Sequence, residues 1–411
     1  MASLKILICG AGCAGPALAF WLARTGHIVT IIERAESLRD TGAQIDLRAQ
    51  GIQVAKHMGL LETIREHLVD EVGMSFVDSD DNVRATVMAN TSGKGAQSLT
   101  SEYEIMRGDL VRILYDATKE NVTYRFGITL ERFEQDDTGV IAYFSDGTSG
   151  QFDILVGADG QGSRIRQAIL PEDADPYRRL GLYIAYWFIP RTETDSNVRK
   201  TYLSPGGRMI MRRSHNASET QVYLVLRDDS AELRSLPRAP VEQQKEFWTQ
   251  RFQGAGWQTD RFLEGLKTTP SFYCQEVVQV RADTWHKGRV VLLGDAGYCP
   301  SPFSGMGTTA SLVGAYVLAG EINQHANDLV QAFQNYEETL RPFVDEIQKM
   351  NVSLLRLAIP QTQWAITILQ YFFTLLCFLR VPDLVARFSS EDSGGWKLPE
   401  YPGLFGDRSS G

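Results

Sequence analysis

The residues with the most chemical content are six in a row near the start of the chain, Gly10-Ala11-Gly12-Cys13-Ala14-Gly15, and an acid at Glu33. Glycines at this spacing suit a pyrophosphate. Gly10 permits a tight turn, Gly12 lets backbone approach phosphate oxygens, and Gly15 lets a helix pack closely on a strand. Cys13 and Ala14 are small residues within the turn, and Cys13 reads as tolerated there rather than as a reactive thiol. The amides that open the following helix are free to bind anionic oxygen. Glu33, about 20 residues on in the terms of this fingerprint, has the place of the acid that accepts hydrogen bonds from adenosine ribose hydroxyls. Two further acid-glycine clusters stand downstream, at Asp159-Gly160 and at Gly294-Asp295-Ala296.

The elements around these residues read as follows. Residues 4–9 form a buried strand, 16–24 a helix and 28–32 a second strand, a βαβ unit. Helical patterns follow at 49–69 and 109–119, an alternating hairpin-like pattern at 72–88, and strand-like runs at 139–144 and 152–156. From 181 to 227 the chain is rich in Tyr, Ile, Val, Trp and Phe, with Gly206-Gly207 as a turn, which predicts an antiparallel sheet. A short apolar run at 289–293 restores the parallel-sheet signature and leads through Gly294-Asp295 to a helix at 308–325. The nucleotide-binding part is therefore expected to be discontinuous, with the antiparallel sheet as a separate layer.

Composition narrows the partners. Among 411 residues, 41 Lys and Arg against 50 Asp and Glu give a net charge of -9, which argues against nucleic acid. A local basic funnel could still come from Arg212 and Arg213, or from Arg178 and Arg179. The five cysteines, Cys9, Cys13, Cys274, Cys299 and Cys377, form no ligand cluster, so no metal is expected and a reducing, cytoplasmic setting fits. The first strand begins within four residues, which leaves no room for a signal peptide. Residues 364–379 are apolar apart from Thr367, Gln370 and Thr374, and fall short of the roughly 20 residues that a membrane-spanning helix needs. They predict a buried helix capping a pocket. The alternative is an interfacial membrane helix, because Arg356, Arg380 and Arg387 flank the run.

Three motifs in order carry a resemblance: Gly10 to Glu33-Arg34; Asp153-Ile154-Leu155-Val156-Gly157-Ala158-Asp159-Gly160 with Gly162-Ser163-Arg164-Ile165-Arg166; and Gly294-Asp295-Ala296-Gly297-Tyr298-Cys299-Pro300-Ser301-Pro302 closed by Gly305-Met306-Gly307. Together they resemble the single-component FAD-dependent aromatic hydroxylases, the para-hydroxybenzoate hydroxylase fold. The phrases Gly42-Ala43-Gln44-Ile45-Asp46-Leu47-Arg48 and Ile105-Met106-Arg107-Gly108-Asp109-Leu110 are similar to the branch of tetracycline-inactivating monooxygenases and polyketide hydroxylases. The fold class implied is α/β plus β. A discontinuous Rossmann-like FAD-binding domain (1–72, 103–175 and 272–345) would carry an inserted antiparallel-sheet substrate domain (73–102 and 176–271), with C-terminal helices (346–411) capping the pocket.

The resemblance implies FAD as cofactor and NAD(P)H as a transient electron donor, since no second dinucleotide fingerprint follows a strand. Glu33 and Arg34 would meet the adenosine, Arg107 the pyrophosphate or flavin side, and Asp295 the ribityl chain. Pro302, Gly305, Met306 and Gly307 would set a backbone amide and a helix start against the flavin pyrimidine ring. Asp159 and Gly160 would serve both FAD and NAD(P)H. Tyr298, Met306 and Thr309 stand where histidine, glutamine and asparagine are usual, changes that leave backbone contacts intact.

The activity implied is a flavin hydroperoxide giving one oxygen atom of O2 to a polycyclic aromatic or polyketide-like substrate. The antiparallel sheet would roof that substrate with Tyr186, Trp187, Phe188, Met209 and Met211, of which alternation lets only half face the pocket. Arg213, two residues beyond Met211 on the same face, is the candidate polar anchor. Arg213 and Tyr298 are the candidates for a catalytic role, and Tyr223 is also placed to influence a proton step. Two alternatives are a flavin halogenase or reductase, from the faint likeness of Ala185-Tyr186-Trp187-Phe188-Ile189-Pro190 to a tryptophan motif, and a flavoprotein that holds an aromatic ligand without turnover. A third, a membrane-peripheral epoxidase, depends on residues 364–379.

Overall fold

The computed structural model describes residues 3–39, 42–88, 103–379 and 395–405. A six-stranded sheet has the spatial order His286–Lys287, Val290–Leu292, Ile154–Gly157, Lys5–Cys9, Ile28–Glu33, Thr123–Phe126. All its pairings are parallel except that of the short first strand. Parallel strands are covered on both faces, so they read as unbroken apolar runs. Ile6, Leu7 and Ile8 are accordingly fully buried. The crossover helix Ala14–Arg24 packs against Gly307–Gln324, a helix buried on nearly every side because it runs through the middle of this layer. A three-stranded meander, Leu130–Gln135, Val140–Phe144 and Ser149–Phe152, lies beside it.

The second layer is a seven-stranded sheet in the order Phe272–Val280, Tyr177–Pro190, Glu219–Arg227, Arg208–Ser214, Val198–Ser204, Gly73–Val77, Val83–Met88. Its two faces follow the alternation of the sequence. Ala185, Trp187, Val222 and Leu224 pack under the helices Val241–Phe252 and Thr259–Thr268 with Trp248, Phe252 and Phe262. Ile184, Tyr186, Met209, Met211 and Tyr223 occupy the opposite face. Trp187 is thereby assigned to the helix side, where its indole N–H donates to Phe262 O at 3.2 Å. The boundary expected at residue 272 falls inside this sheet, because Phe272–Val280 pairs antiparallel with Tyr177–Pro190. The three-residue turn Pro205-Gly206-Gly207 sets Leu203 opposite Met209.

The C-terminal helix Gln363–Phe378 corrects the expectation of a buried element. Ile366 is its one buried residue, while Trp364, Tyr371 and Phe378 are 68%, 74% and 82% exposed. It rests on the sheet through Phe373, stacked on Phe76 at 5.1 Å, and through Thr374 Oγ1, which donates to Arg84 O at 2.9 Å. An apolar run without a polar stripe gives no sign of which side faces outward. Arg380 and Arg387, residues 89–102 of the expected substrate domain, and residues 380–394 and 406–411 of the expected cap lie outside the described residues. Among the described residues no helix is long and apolar enough to cross a membrane.

Candidate functional site

The C-terminal ends of Lys5–Cys9, Ile28–Glu33 and Ile154–Gly157 open into a cavity of about 1820 Å³ that continues across to the seven-stranded sheet. In an open parallel sheet this is where ligands bind. Gly10 has φ +120°, and a Cβ on it would lie 2.3 Å from Ala158 O, while one on Gly15 would lie 2.1 Å from Gly10 O. Only glycine allows that crossing of strand, turn and helix. A Cβ on Gly12 would come within 3.3 Å of Arg107 Nη2. Cys13 and Ala14 line the same turn. Burial pushes the Cys13 thiol up despite the pull of Arg107, as befits an inert thiol.

Glu33 is more engaged than the sequence suggested. Its Oε2 accepts from Ala11 N–H and its Oε1 from Ala35 N–H, both at 3.0 Å. The carboxylate thus ties the glycine turn to its strand and still has acceptor capacity for a ribose. Arg34 lines the cavity beside it. Asp159 Oδ2 accepts from Arg164 N–H at 2.9 Å and closes the turn before the helix Arg164–Ile169. Next to it Gly160, at φ +81°, has no atom within 4 Å of where a Cβ would stand.

Arg107 opens the helix Arg107–Asp116 and interacts electrostatically with Cys13 and Asp295. Burial pushes the Asp295 carboxyl up, against the pull of a Cys299 hydrogen bond, Arg107 and Arg166. The turn Pro302–Ser304 and Gly305, at φ +65°, lead into the helix Gly307–Gln324, whose first residues Gly307 and Thr308 line the cavity with Pro302. Its N-terminal amides and dipole favour negative charge there. Met306 differs from expectation: its N–H donates to Ser304 Oγ at 3.1 Å and its side chain packs on the α/β core. Tyr298 is likewise removed from the cavity. The single helical turn Asp295–Tyr298 sends it under Trp285, with its hydroxyl 2.9 Å from that of Tyr336. That geometry overturns its candidacy for catalysis.

On the sheet side Tyr186, Phe188, Met209 and Met211 all line the cavity. Tyr186 is flanked by Tyr223 and Tyr273 at centroid distances of 5.6 and 5.3 Å. Arg213 is held rather than free. Its Nε and Nη2 donate to Glu71 at 2.8 and 3.0 Å, and Nη2 donates to Glu104 at 2.7 Å. Arg213 lines the cavity and these ion pairs engage its Nε and Nη2, so the anchor reading narrows to Nη1. Arg212 turns to the other face and pairs with Asp195, Arg179 pairs with Asp175 and Glu276, and Arg178 donates to Gln279 Oε1 at 3.2 Å, so neither arginine pair forms a funnel of free positive charge. The sequence reading missed Asp46, Arg48, Glu104, Arg199 and Tyr273 as lining residues. The signal for Asp46 and Arg48 lay in the phrase from Gly42 to Arg48, which had served only as a family mark.

Residues 3–349 match the family described as FAD binding domain. The chain is 38% identical over 430 residues to the FAD-dependent monooxygenase asL4 of Sarocladium schorii, spanning 98% of this chain and 99% of that one. It is 39% identical to the flavin-dependent monooxygenase eupH of a Phoma species, over 99% of each chain. The crystal structure of tetracycline destructase Tet(51) superposes with a TM-score of 0.80 at 30% identity, covering 97% of this chain and 100% of that one. The glycine turn, the acid at the end of the second strand and the cavity joining them to an aromatic sheet are therefore those of a member of the FAD-binding monooxygenase family, to which this chain belongs.

Proposed function

We propose that this flavoprotein monooxygenase takes electrons from NAD(P)H and inserts one oxygen atom of O2 into a polycyclic aromatic or polyketide-like substrate, of which a tetracycline-type compound is one example. The observation that carries this reading is the continuity of one cavity from the glycine turn to a face of Tyr186, Phe188, Met209 and Met211. Its volume exceeds the roughly 300–1,000 Å³ of an ordinary ligand pocket, as a site for a dinucleotide plus a flat second ligand must. The residues present fit FAD. Gly10 permits the tight turn, Gly12 and Gly160 leave room along the cavity wall that side chains would take up, and Glu33 keeps acceptor capacity at the adenosine end.

Bound FAD, once reduced, supplies the activation of dioxygen and the oxygen transfer. The chain does the rest. Arg107, behind Gly12, neutralises phosphate charge, and Asp295 accepts from the ribityl hydroxyls. The amides opening Gly307–Gln324 stabilise negative charge at the pyrimidine end of the ring. Tyr186 and the two methionines, all on one face of the sheet, cover a planar substrate from that side and exclude water from it. Only one dinucleotide fingerprint is present, so the nicotinamide donor is a visitor.

The test is to incubate the FAD-loaded protein with NADPH or NADH, isotopically labelled dioxygen and a panel of polycyclic phenols and polyketides. Ligand-dependent oxidation of the nicotinamide with one labelled oxygen atom in the product is expected. Oxidation indifferent to every ligand, with all oxygen recovered as peroxide, would defeat the proposal.

A further inference from the structure

Two acids face one another at the junction of the two halves of the cavity. The strands Gln44–Asp46 and Glu104–Met106 pair antiparallel and place Asp46 directly opposite Glu104. Like charges in that position repel. Both line the cavity, Glu104 buried and Asp46 partly open to it, and a Cβ on Gly305 would lie 2.9 Å from Asp46 Oδ2. Asp46 therefore stands between the turn that starts the Gly307–Gln324 helix and the substrate sheet.

The hydrogen bonds around Glu104 settle which acid carries a proton when one is present. Tyr223 O–H donates to Gln221 Oε1 at 2.7 Å, and Gln221 Nε2 donates to Gln44 Oε1 at 3.2 Å. The amide of Gln44 is thereby oriented so that its Nε2 donates to Glu104. Arg213 donates to the same carboxylate at 2.7 Å and is itself fixed by Glu71. Gln44 Nε2 and Arg213 Nη2 can only donate, so Glu104 is the acceptor in this network. Asp46 has Arg48 Nη2 at 2.8 Å on one side and Glu104 on the other. The remaining charges near the pair are Arg213 and Arg199 from the sheet and Glu71 behind Arg213. The Ser301 to Gly307 turn adds no ionisable side chain.

We propose that Asp46 and Glu104 act as a proton-holding pair whose ligand is an acidic hydroxyl, phenolic or enolic, of the substrate, with Asp46 as acceptor and Glu104 as the positioning residue that sets its basicity. In the step, the substrate O–H bond breaks, its electron pair stays on the substrate oxygen, and the proton joins an Asp46 oxygen and is donated as a hydrogen bond to Glu104. The oxyanion left behind enriches the adjoining ring carbons in electrons, which is what a reaction with electrophilic oxygen needs. Burial first, and then the charge of Glu104, raise Asp46 to about 6 against the pull of Arg48 and Arg213. Glu104 is held low despite burial by Arg213 and by the hydrogen bond from Asp46. Asp46 is thus ionised and able to accept above pH 6, and protonated below it.

This inference deepens the monooxygenase reading and rests on it. Its test compares binding of 1-hydroxypyrene and 1-methoxypyrene to the FAD-loaded protein, followed by pyrene fluorescence from pH 5 to 8. A hydrogen bond to a carboxylate predicts a preference for the hydroxyl compound of about tenfold or more at pH 7.5. That preference should collapse below pH 6. Glu104→Gln should keep the preference but move its midpoint to lower pH, because the neighbouring negative charge is gone. Asp46→Asn should abolish it. A wild-type protein that does not distinguish the two ligands, or whose preference is flat with pH, overturns the proposal whatever the variants do. A chain that takes up no FAD overturns the parent reading and this one with it, so the two failures are told apart by flavin content.

Discussion

Replacing Arg213 by methionine separates its structural role from substrate binding. The side chains of Arg213, Glu71 and Glu104 are 8%, 2% and 4% exposed, so the substitution takes the hydrogen-bonding cation from two buried carboxylates and leaves Arg199 as the nearby charge. Breaking a buried ion pair from one side costs ~3–5 kcal/mol, because the surviving charge has lost its compensation. Methionine retains most of the aliphatic volume, so a cavity adds little. The cost has a pH signature. Burial raises the Glu104 carboxyl and Arg213 holds it down, so without the cation the folded-state affinity of Glu104 for protons rises above its unfolded value and the variant loses stability as pH increases. Its deficit against wild type should be larger at pH 7.5 than at pH 5. Urea unfolding at fixed excess FAD, followed by the fluorescence of the buried tryptophans 21, 187, 248 and 285, measures it as the midpoint shift times the slope. Adding Glu71→Gln and Glu104→Gln to the variant should recover part of the loss. A deficit below about 1 kcal/mol, or one equal at both pH values, would refute the argument and return Arg213 to the role of a substrate anchor.

Asp295→Asn should weaken FAD binding by roughly tenfold or more in a fluorescence titration, the scale of a charge-assisted hydrogen bond, without altering the circular dichroism of the chain. Gly10→Ala places a Cβ 2.3 Å from Ala158 O at φ +120°, so flavin should be absent from the purified protein, as read from visible absorbance; full occupancy would mean that the turn can be rebuilt. Burial works against ionisation of Asp195, yet hydrogen bonds from Arg261, Arg212 and Thr192 N–H hold its carboxyl far below the usual range. A depressed carboxyl stabilises the fold above its unfolded pKa and ceases to do so as pH falls. Asp195→Asn should therefore cost about 3 kcal/mol at neutral pH, and thermal melts should show the difference from wild type closing below about pH 4.

How much of this molecule was legible in its sequence depends on the range of the forces involved. The βαβ start was readable because its determinants are local: three glycines within six residues, and two mainly apolar strands, the first with Ile6, Leu7 and Ile8 buried on both faces. The face assignment of Tyr186 against Trp187 was readable in kind, because alternation is a property of the strand itself. Phe272–Val280 was misplaced because an apolar strand does not record which sheet it will join, and its partner begins nearly a hundred residues earlier. Arg212 and Arg213 show the same limit at the scale of a side chain. Adjacent on one strand, they point to opposite faces, and each is neutralised by acids that no sequence window contains: Asp195 for the first, and Glu71 and Glu104, 142 and 109 residues away, for the second. Asp46 was visible only as part of a recurring phrase. What made it chemically distinct was Glu104 placed opposite by a two-stranded pairing, and Gly305 brought against it by the turn before the central helix. A glycine fingerprint announces the cofactor because backbone geometry is written locally. The sheet side of the cavity is assembled from charges whose partners are chosen by tertiary folding, and no local pattern writes them down.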